Sequence, residues 1–478
     1  MSRSTGRDRK PRRDPLLRAI KGKQAQTADE VTKGDTSGSA STGAPAEGRS
    51  TLEAARQKGP LGYLQILGPG LITGASDDDP SGIGTYSQVG SQFGYGLLWT
   101  ALFTFPLMAA VQELCARIAL QTGVGLGVSL RRKFPTWLVG VCVLALFIAN
   151  TINIGADLGA IAAGGELLTR GWLKHAWLVV PVGLLILGLQ FFVTYALIFK
   201  IFKWLTLALF AYVVTAFIVH PALGQVLFST FVPHFEFSKP FITAVVAVLG
   251  TTISPYLFFW QASSEVEEMR AADLVTEAQR RGVRQQDLRA ARIDILIGML
   301  FSNAVMYFII LVSAAVLHAH GKTNIQSAQE AASALAPIAG PFAFVLFALG
   351  MIGTGLLAIP ILSGSAAYAM KEFLNLPGTL AAKPRFRPTF YAVIGLATIA
   401  GIALNFMRID PIQALFYTAV INGLVAPPLL VLIVLLGSDR AYMKDKVSGR
   451  LSKALTWLAI GLMSVAAVAL VATTLFIR

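Results

Sequence analysis

Apolar residues show no periodicity in the first stretch of this chain, and then dominate it. From about residue 59 onward, apolar runs of membrane-spanning length alternate with short polar connectors. Eleven runs stand out, at roughly 64–89, 95–119, 137–163, 176–198, 202–222, 241–265, 293–317, 341–370, 389–407, 411–437 and 454–477. About 20 apolar residues cross a bilayer as a helix, so each run predicts a transmembrane helix, and the longer ones leave room for tilt or a break. The fold class expected is therefore all-α and integral to a membrane.

Two of the runs are interrupted from within. The first carries Ser76-Asp77-Asp78-Asp79-Pro80-Ser81-Gly82, three consecutive carboxylates followed by a proline and a glycine. A charge at bilayer depth costs several kcal/mol, so such residues face a cavity and mark an ion or substrate path. Proline and glycine break the helix and free carbonyl and N–H groups that need a partner or a ligand. The sixth run carries Gly250-Thr251-Thr252-Ile253-Ser254-Pro255-Tyr256, small and hydroxyl residues ahead of a proline. Pro80 and Pro255 lie 175 residues apart. Breaks at matching positions of two five-helix halves are the mark of an inverted-repeat transporter with its site near the membrane midplane.

Charge orients the spans. Lys and Arg fall unequally between alternate connectors: twenty-one on one side, including Arg117, Arg131, Arg132, Lys133, Arg280 and Arg450, and five on the other, Arg170, Lys174, Lys239, Lys322 and Arg408. The positive-inside rule then places the N-terminus in the cytoplasm and, with eleven spans, the C-terminus outside, in a plasma membrane. The net charge of +14 belongs to this topology and to anionic lipid, not to nucleic acid. Only 14% of residues are charged and 54% are hydrophobic, which excludes an ordinary soluble domain. Cys115 and Cys142 read as reduced, structural thiols. Residues 1–58 read as a disordered basic cytoplasmic tail. In the connector from Glu265 to Arg292, Met269, Ala272, Leu274, Val275 and Ala278 predict a short amphipathic helix on the inner surface. Glu113 and Arg117 predict a helix pair, Gln112 a lining of the inner exit, and Asn303 and Asn422 interhelical hydrogen bonds.

The residues at both breaks resemble those of the NRAMP family of divalent-metal transporters. The likeness runs from Gly68-Pro69-Gly70 through the first break to Phe93-Gly94-Tyr95-Gly96-Leu97-Leu98-Trp99, and resumes at Ala156-Asp157-Leu158, Lys203-Trp204-Leu205 and the second break. It covers about residues 60–437. The resemblance implies a LeuT-type fold of two inverted five-helix repeats, about 64–222 and about 241–437, within a transporter core at 59–437. An inner loop and an extra helix follow at 438–478. Alternating access through rocking of the broken helices goes with that fold.

The departures from the family pattern carry as much information as the likeness. NRAMP manganese and iron transporters have Asp-Pro-Gly-Asn in helix 1, where this chain has Asp79-Pro80-Ser81-Gly82. They have Met-Pro-His in helix 6, where it has Ser254-Pro255-Tyr256. The resemblance thus implies Asp79 as a metal ligand, with carbonyl ligands mapping to Ser76 and Thr251, while Gly82 and Ser254 replace an amide and a thioether. This pair of changes is similar to that of the NRAMP-related magnesium transporters. A soft sulfur favours transition metals, and an oxygen-lined, roomier site suits Mg²⁺ that keeps part of its water. Asp78 and Asp77 can accept hydrogen bonds from such water. A hard-oxygen site does not reject a trivalent ion such as Al³⁺ on chemistry alone.

Proton coupling needs titratable groups within the membrane. The family's helix-6 histidines map to Tyr256 and Gln261, and its helix-3 Asp-x-x-Glu set to Asp157 and Ala160. All five histidines fall at outer ends, and Asp157 has the alternative of pairing with Asn150, Asn153 or a hydroxyl. A glutamine that the family adds in helix 10 maps to Ala419, one turn before Asn422. The expectation is uncoupled import of Mg²⁺, and of Mn²⁺, with the ion as substrate and no cofactor, no catalysis and no obligate protein partner. A proton-coupled Mn²⁺/Fe²⁺ transporter is the alternative, and an organic-solute symporter of the LeuT type a weaker one.

Overall fold

The computed structural model of the protein describes residues 69–193, 205–272, 274, 276–325, 327–376, 387–407 and 409–476. The chain divides into two units, Met1–Arg49 and Ser50–Arg478, and the described residues all belong to the second. The tail expected at 1–58, and Gly68, Lys203 and Trp204 of the family-like motifs, lie outside the described residues.

Among the described residues every regular element is helical. The first apolar run forms α1 (Pro69–Asp77) and α2 (Pro80–Phe93), broken at Asp78 and Asp79. The following elements are α3 (Trp99–Thr122), α4 (Leu126–Lys133), α5 (Thr136–Leu168), α6 (His175–Phe192), α7 (Phe210–Val219) and α8 (Leu223–Phe231). The sixth run forms α9 (Lys239–Thr252) and α10 (Pro255–Ala271), broken at Ile253 and Ser254. After a single turn, α11 (Glu277–Arg280), come α12 (Gln285–Val316), α13 (Ala343–Leu374), α14 (Pro388–Leu404), α15 (Pro411–Gly437) and α16 (Arg450–Phe476). Both predicted breaks therefore exist. Proline begins the second half in each case, where its missing N–H and fixed φ suit the first helical position.

Nine helices among the described residues are long and apolar enough to cross a membrane, counting α9 and α10 as one crossing. The two halves of the first run, and Leu207–Val219 of the fifth, are shorter pieces. The count of eleven spans rests on the charge alternation, not on helix length alone.

Polarity is arranged inside out. Leu144, Ile148, Leu184, Ile399, Val465 and Val468 face outward, while Asp77, Asp78, Asp79, Asn153, Asp157 and Gln261 are buried. Two close seams hold the broken helices. A Cβ on Gly70 would lie 2.6 Å from the Ile295 amide, and one on Gly74 would overlap the Gly298 carbonyl, so α1 meets α12 backbone to backbone. A Cβ on Gly250 would likewise overlap Ala419 and Gly423 of α15. Small residues allow such approach where lipid gives no hydrophobic drive to association.

The basic end of the bundle is tied across several connectors. Arg132 forms a bidentate pair with Glu277 at 2.7 and 2.9 Å, and the Arg132 hydrogen bonds hold the Glu277 carboxyl below its ordinary range. Arg280 donates to the Gly123 carbonyl at 2.9 Å. Glu113 pairs with Arg117 as expected, and also accepts from Arg292 at 3.1 Å and from Ser452 at 3.2 Å. Asn303 bonds Ala101 and Thr104, which is the interhelical role expected of it.

One expectation fails here. The amphipathic helix over Met269 to Ala278 does not form as a unit. α10 runs on to Ala271 and takes Met269 with it, and only the turn Glu277–Arg280 follows, under a Thr276–Gln279 capping box. Residues 273 and 275 lie outside the described residues. A capping box stops a helix from extending backward through the cap, so the sequence splits where its charges read as continuous.

Candidate functional site

The two breaks face each other, and Asp79 lies at their junction. It is the N-cap of α2 (φ −68°, ψ 169°), and its Oδ1 accepts from the Gly82 amide at 2.8 Å and from the Ser81 hydroxyl at 2.6 Å. An aspartate N-cap satisfies orphan amides and favours negative charge at the helix start, so this carboxylate holds a fixed position. Its Oδ2 accepts from Asn153 of α5 at 3.2 Å and lies 3.4 Å from the Tyr256 hydroxyl of α10. The same Tyr256 hydroxyl donates to the Ser76 carbonyl at 2.9 Å. Asp79, Ser76 and Tyr256 are thus brought together, and Tyr256 bridges one break to the other.

Asp77 and Asp78 turn toward α12. Ser302 places its hydroxyl 2.7 Å from Asp77 Oδ2 and 3.2 Å from Asp78 Oδ1, while Asp77 Oδ1 and Asp78 Oδ2 are buried without a hydrogen-bond partner. Gly82 meets Thr251 across the junction: a Cβ there would lie 3.2 Å from Tyr86 Cε2, 3.4 Å from the Asp77 carbonyl and 3.5 Å from Thr251 Oγ1. Ser254 points elsewhere. Its hydroxyl donates to the carbonyls of Gly250 at 2.9 Å and Thr251 at 2.7 Å, closing its own turn. The groups at the junction that can ligate a cation are oxygens, from carboxylates, carbonyls and hydroxyls. Among the described residues no three carboxylate, imidazole or thiol groups converge on one point, so any ion held here relies on backbone oxygen and water as well.

The family model described as natural resistance-associated macrophage protein-like, Nramp, matches residues 70–473. The chain belongs to the Nramp family. Among its relatives is the divalent metal cation transporter MntH of Caldanaerobacter subterraneus subsp. tengcongensis, 25% identical over 397 residues, which span 80% of this chain and 87% of that protein. Crystal structures of the Eremococcus coleocola manganese transporter share its fold. A mutant form superposes with a TM-score of 0.67 at 18% identity, over 92% of this chain and 91% of the other. Mhp1, a nucleobase-cation-symport-1 family transporter, superposes at 0.53 with 16% identity, over 86% and 90% of the two chains. The architecture is the LeuT-type fold that the family resemblance implies, with the inverted-repeat breaks expected from the sequence.

In this Nramp chain the remaining candidates take varied places. Gln261 does not reach Asp79: it accepts from Thr73 of α1 at 2.6 Å and donates to Glu265 at 2.9 Å, joining α1 to α10. Asp157 is fully buried, beside the Ser81 backbone amide and in electrostatic range of Asp79, with no side chain hydrogen-bonded to it. The pairing with Asn150 or Asn153 considered from the sequence does not occur, because Asn150 donates to the Leu362 carbonyl and Asn153 to Asp79. Asn422 is buried in α15 with its amide nitrogen unpartnered, on the helix that seats Gly250. Gln112 is buried too, with its side-chain oxygen unpartnered.

Three participants were missed by sequence reasoning. The sequence offers Asn153 only as a partner for Asp157, and gives no role to Ser302 or Asp294. Asp294 accepts the Gly70 and Leu71 amides at 2.6 and 3.2 Å, capping α1 from α12. A signal existed for Ser302, which sits beside Asn303 within an apolar run. None existed for the direction in which either side chain points.

Proposed function

We propose that this protein is a divalent-metal transporter that imports Mg²⁺, and Mn²⁺ with it, through the junction of the two broken helices, without moving protons. The observation that carries this reading is the donor set. Asp79 and the Ser76 carbonyl lie against the Tyr256 hydroxyl, and Asp79, the Asp77 carbonyl and the Thr251 hydroxyl lie against Gly82, with no sulfur or imidazole among them. Hard oxygen and a missing side chain at Gly82 suit an ion that sheds water reluctantly. The names of the relatives, a divalent metal cation transporter and a manganese transporter, support the substrate class.

The basic end is placed in the cytoplasm of a plasma-membrane protein, which puts the C-terminus outside. The membrane potential then drives uptake, with a divalent ion gaining about 4.6 kcal/mol at 100 mV. Alternating access follows from rocking of the broken helices against the other helices. The likeness of the altered motifs to those of NRAMP-related magnesium transporters supports the assignment to that subgroup.

A second reading, proton-coupled transport of Mn²⁺, is favoured by one observation. Asp157 is a buried carboxylate near Asp79 with no side chain hydrogen-bonded to it, the kind of group that carries protons in membrane transporters. Flux into proteoliposomes holding Mg²⁺- and pH-sensitive dyes, at an imposed negative potential, separates the two. Mg²⁺ entry without lumenal acidification is expected. Mn²⁺ entry with protons, and no competition by Mg²⁺, would overturn the proposal. Asp79→Ala is expected to abolish uptake of both ions while the protein remains folded by circular dichroism.

A further inference from the structure

A carboxylate offers about four lone-pair directions. Three of those on Asp79 are engaged by the protein, Ser81 and Gly82 at Oδ1 and Asn153 at Oδ2, and the Tyr256 hydroxyl stands 3.4 Å from Oδ2 beside the fourth. A cation that bonds Asp79 directly must therefore displace one of these donors or take the place of the Tyr256 hydroxyl. The Ser81 and Gly82 contacts belong to the first turn of α2, and losing them leaves that helix start uncapped. Asn153 binds only Asp79 here. Tyr256 alone touches two of the proposed ligands at once, donating to the Ser76 carbonyl at 2.9 Å and approaching Asp79 Oδ2 at 3.4 Å.

The body of Tyr256 is held in place. It follows Pro255 at the start of α10, its side chain is buried, and its own carbonyl accepts the Ser365 hydroxyl at 2.6 Å. What can move is the hydroxyl hydrogen. A phenol carries one proton, here given to the Ser76 carbonyl, and the hydroxyl stands between two oxygens that a dehydrated cation would take together. The hydroxyl oxygen can in turn accept a hydrogen bond from a water that stays on the ion.

We propose that Tyr256 determines ion specificity as an internal competitor: its hydroxyl occupies the position between Ser76 and Asp79, disfavours direct ligation by a stripped cation, and tolerates a hydrated one. This rests on the proposed divalent-metal function. Mg²⁺ keeps its water and is little affected by the hydroxyl. Mn²⁺ loses water more readily, and gains when both oxygens become free.

The test is isothermal titration calorimetry of MnCl₂ and MgCl₂ on purified wild-type and Tyr256→Phe protein, the variant keeping the ring and its packing. The expected result is about tenfold tighter Mn²⁺ binding in the variant, the scale of one hydrogen bond to a charged group, with Mg²⁺ changed far less. Weaker Mn²⁺ binding would make the hydroxyl oxygen a ligand and overturn the proposal. An equal change for both ions, or none, would reduce Tyr256 to a structural role and overturn it as well. Failure of the underlying function is read on other samples, as wild-type protein that binds neither ion or Asp79→Ala protein that binds like wild type.

Discussion

Asp79, Gly82 and Ser254 show how a residue's identity and its direction differ as information. A carboxylate beside Pro80 in an apolar run already predicts a polar break, because nothing else stabilises a charge at that depth. The structure keeps Asp79 at the junction, fixed by its capping role. Ser254, mapped to a family ligand, spends its hydroxyl on the Gly250 and Thr251 carbonyls, a local choice open to any serine beside a broken helix. Gly82 does its work by what it lacks. The asparagine of the family motif, placed there by Gly82→Asn, would crowd Tyr86 and Thr251. Such a variant is expected to lose about tenfold in Mg²⁺ uptake relative to Mn²⁺, as a filled pocket discriminates by size, and paired flux assays on the two ions measure it.

At the scale of elements, the two breaks and the apolar helices are legible because proline, glycine and apolar length are local signals. Ends that carry charge are not: α10 runs past 265 to Ala271, and α12 starts at Gln285, ahead of the apolar run at 293. The short helices α4 and α8 were not expected, since both lie in connectors and are too short to show a span. Nor does any local signal announce how α1 is held. Its first amides are capped from α12 by Asp294, and Thr73 is tied to Gln261 of α10. Removing the cap by Asp294→Ala leaves two orphan donors, a cost of about 1–3 kcal/mol for each one that stays buried. The expected outcome is an α1 that detaches more often at the basic end. Maleimide labelling of a cysteine at Thr73, in protein lacking Cys115 and Cys142, should then be faster than in the parent, with Asp294→Asn between the two.

Over the whole molecule, buried charge at the basic end does what apolar packing does elsewhere. Glu113 is shared by Arg117 of its own helix, Arg292 of α12 and Ser452 of α16, elements far apart in sequence. Arg117 and Glu113 are both buried, so Glu113→Ala strands a guanidinium inside the bundle. Breaking such a pair costs about 3–5 kcal/mol, and a lowered unfolding midpoint in detergent is the expected result. The pair itself was visible as an i,i+4 spacing. Its attachment to two other helices was not.

The sequence by itself determined the membrane class, the two interrupted helices and the carboxylate at their junction, because hydropathy, proline and a charge in an apolar run act over a few residues. It also carried the family likeness, through motifs spaced along most of the chain. Only the tertiary structure decided that Tyr256 bridges Ser76 and Asp79, that Asn153 serves Asp79 and not Asp157, that Ser302 stands against two carboxylates, and that Asp294 caps a helix 224 residues away. Each of these is a hydrogen bond between distant segments. Its direction is set by how helices pack and which face each turns inward, and no local pattern of residues encodes that.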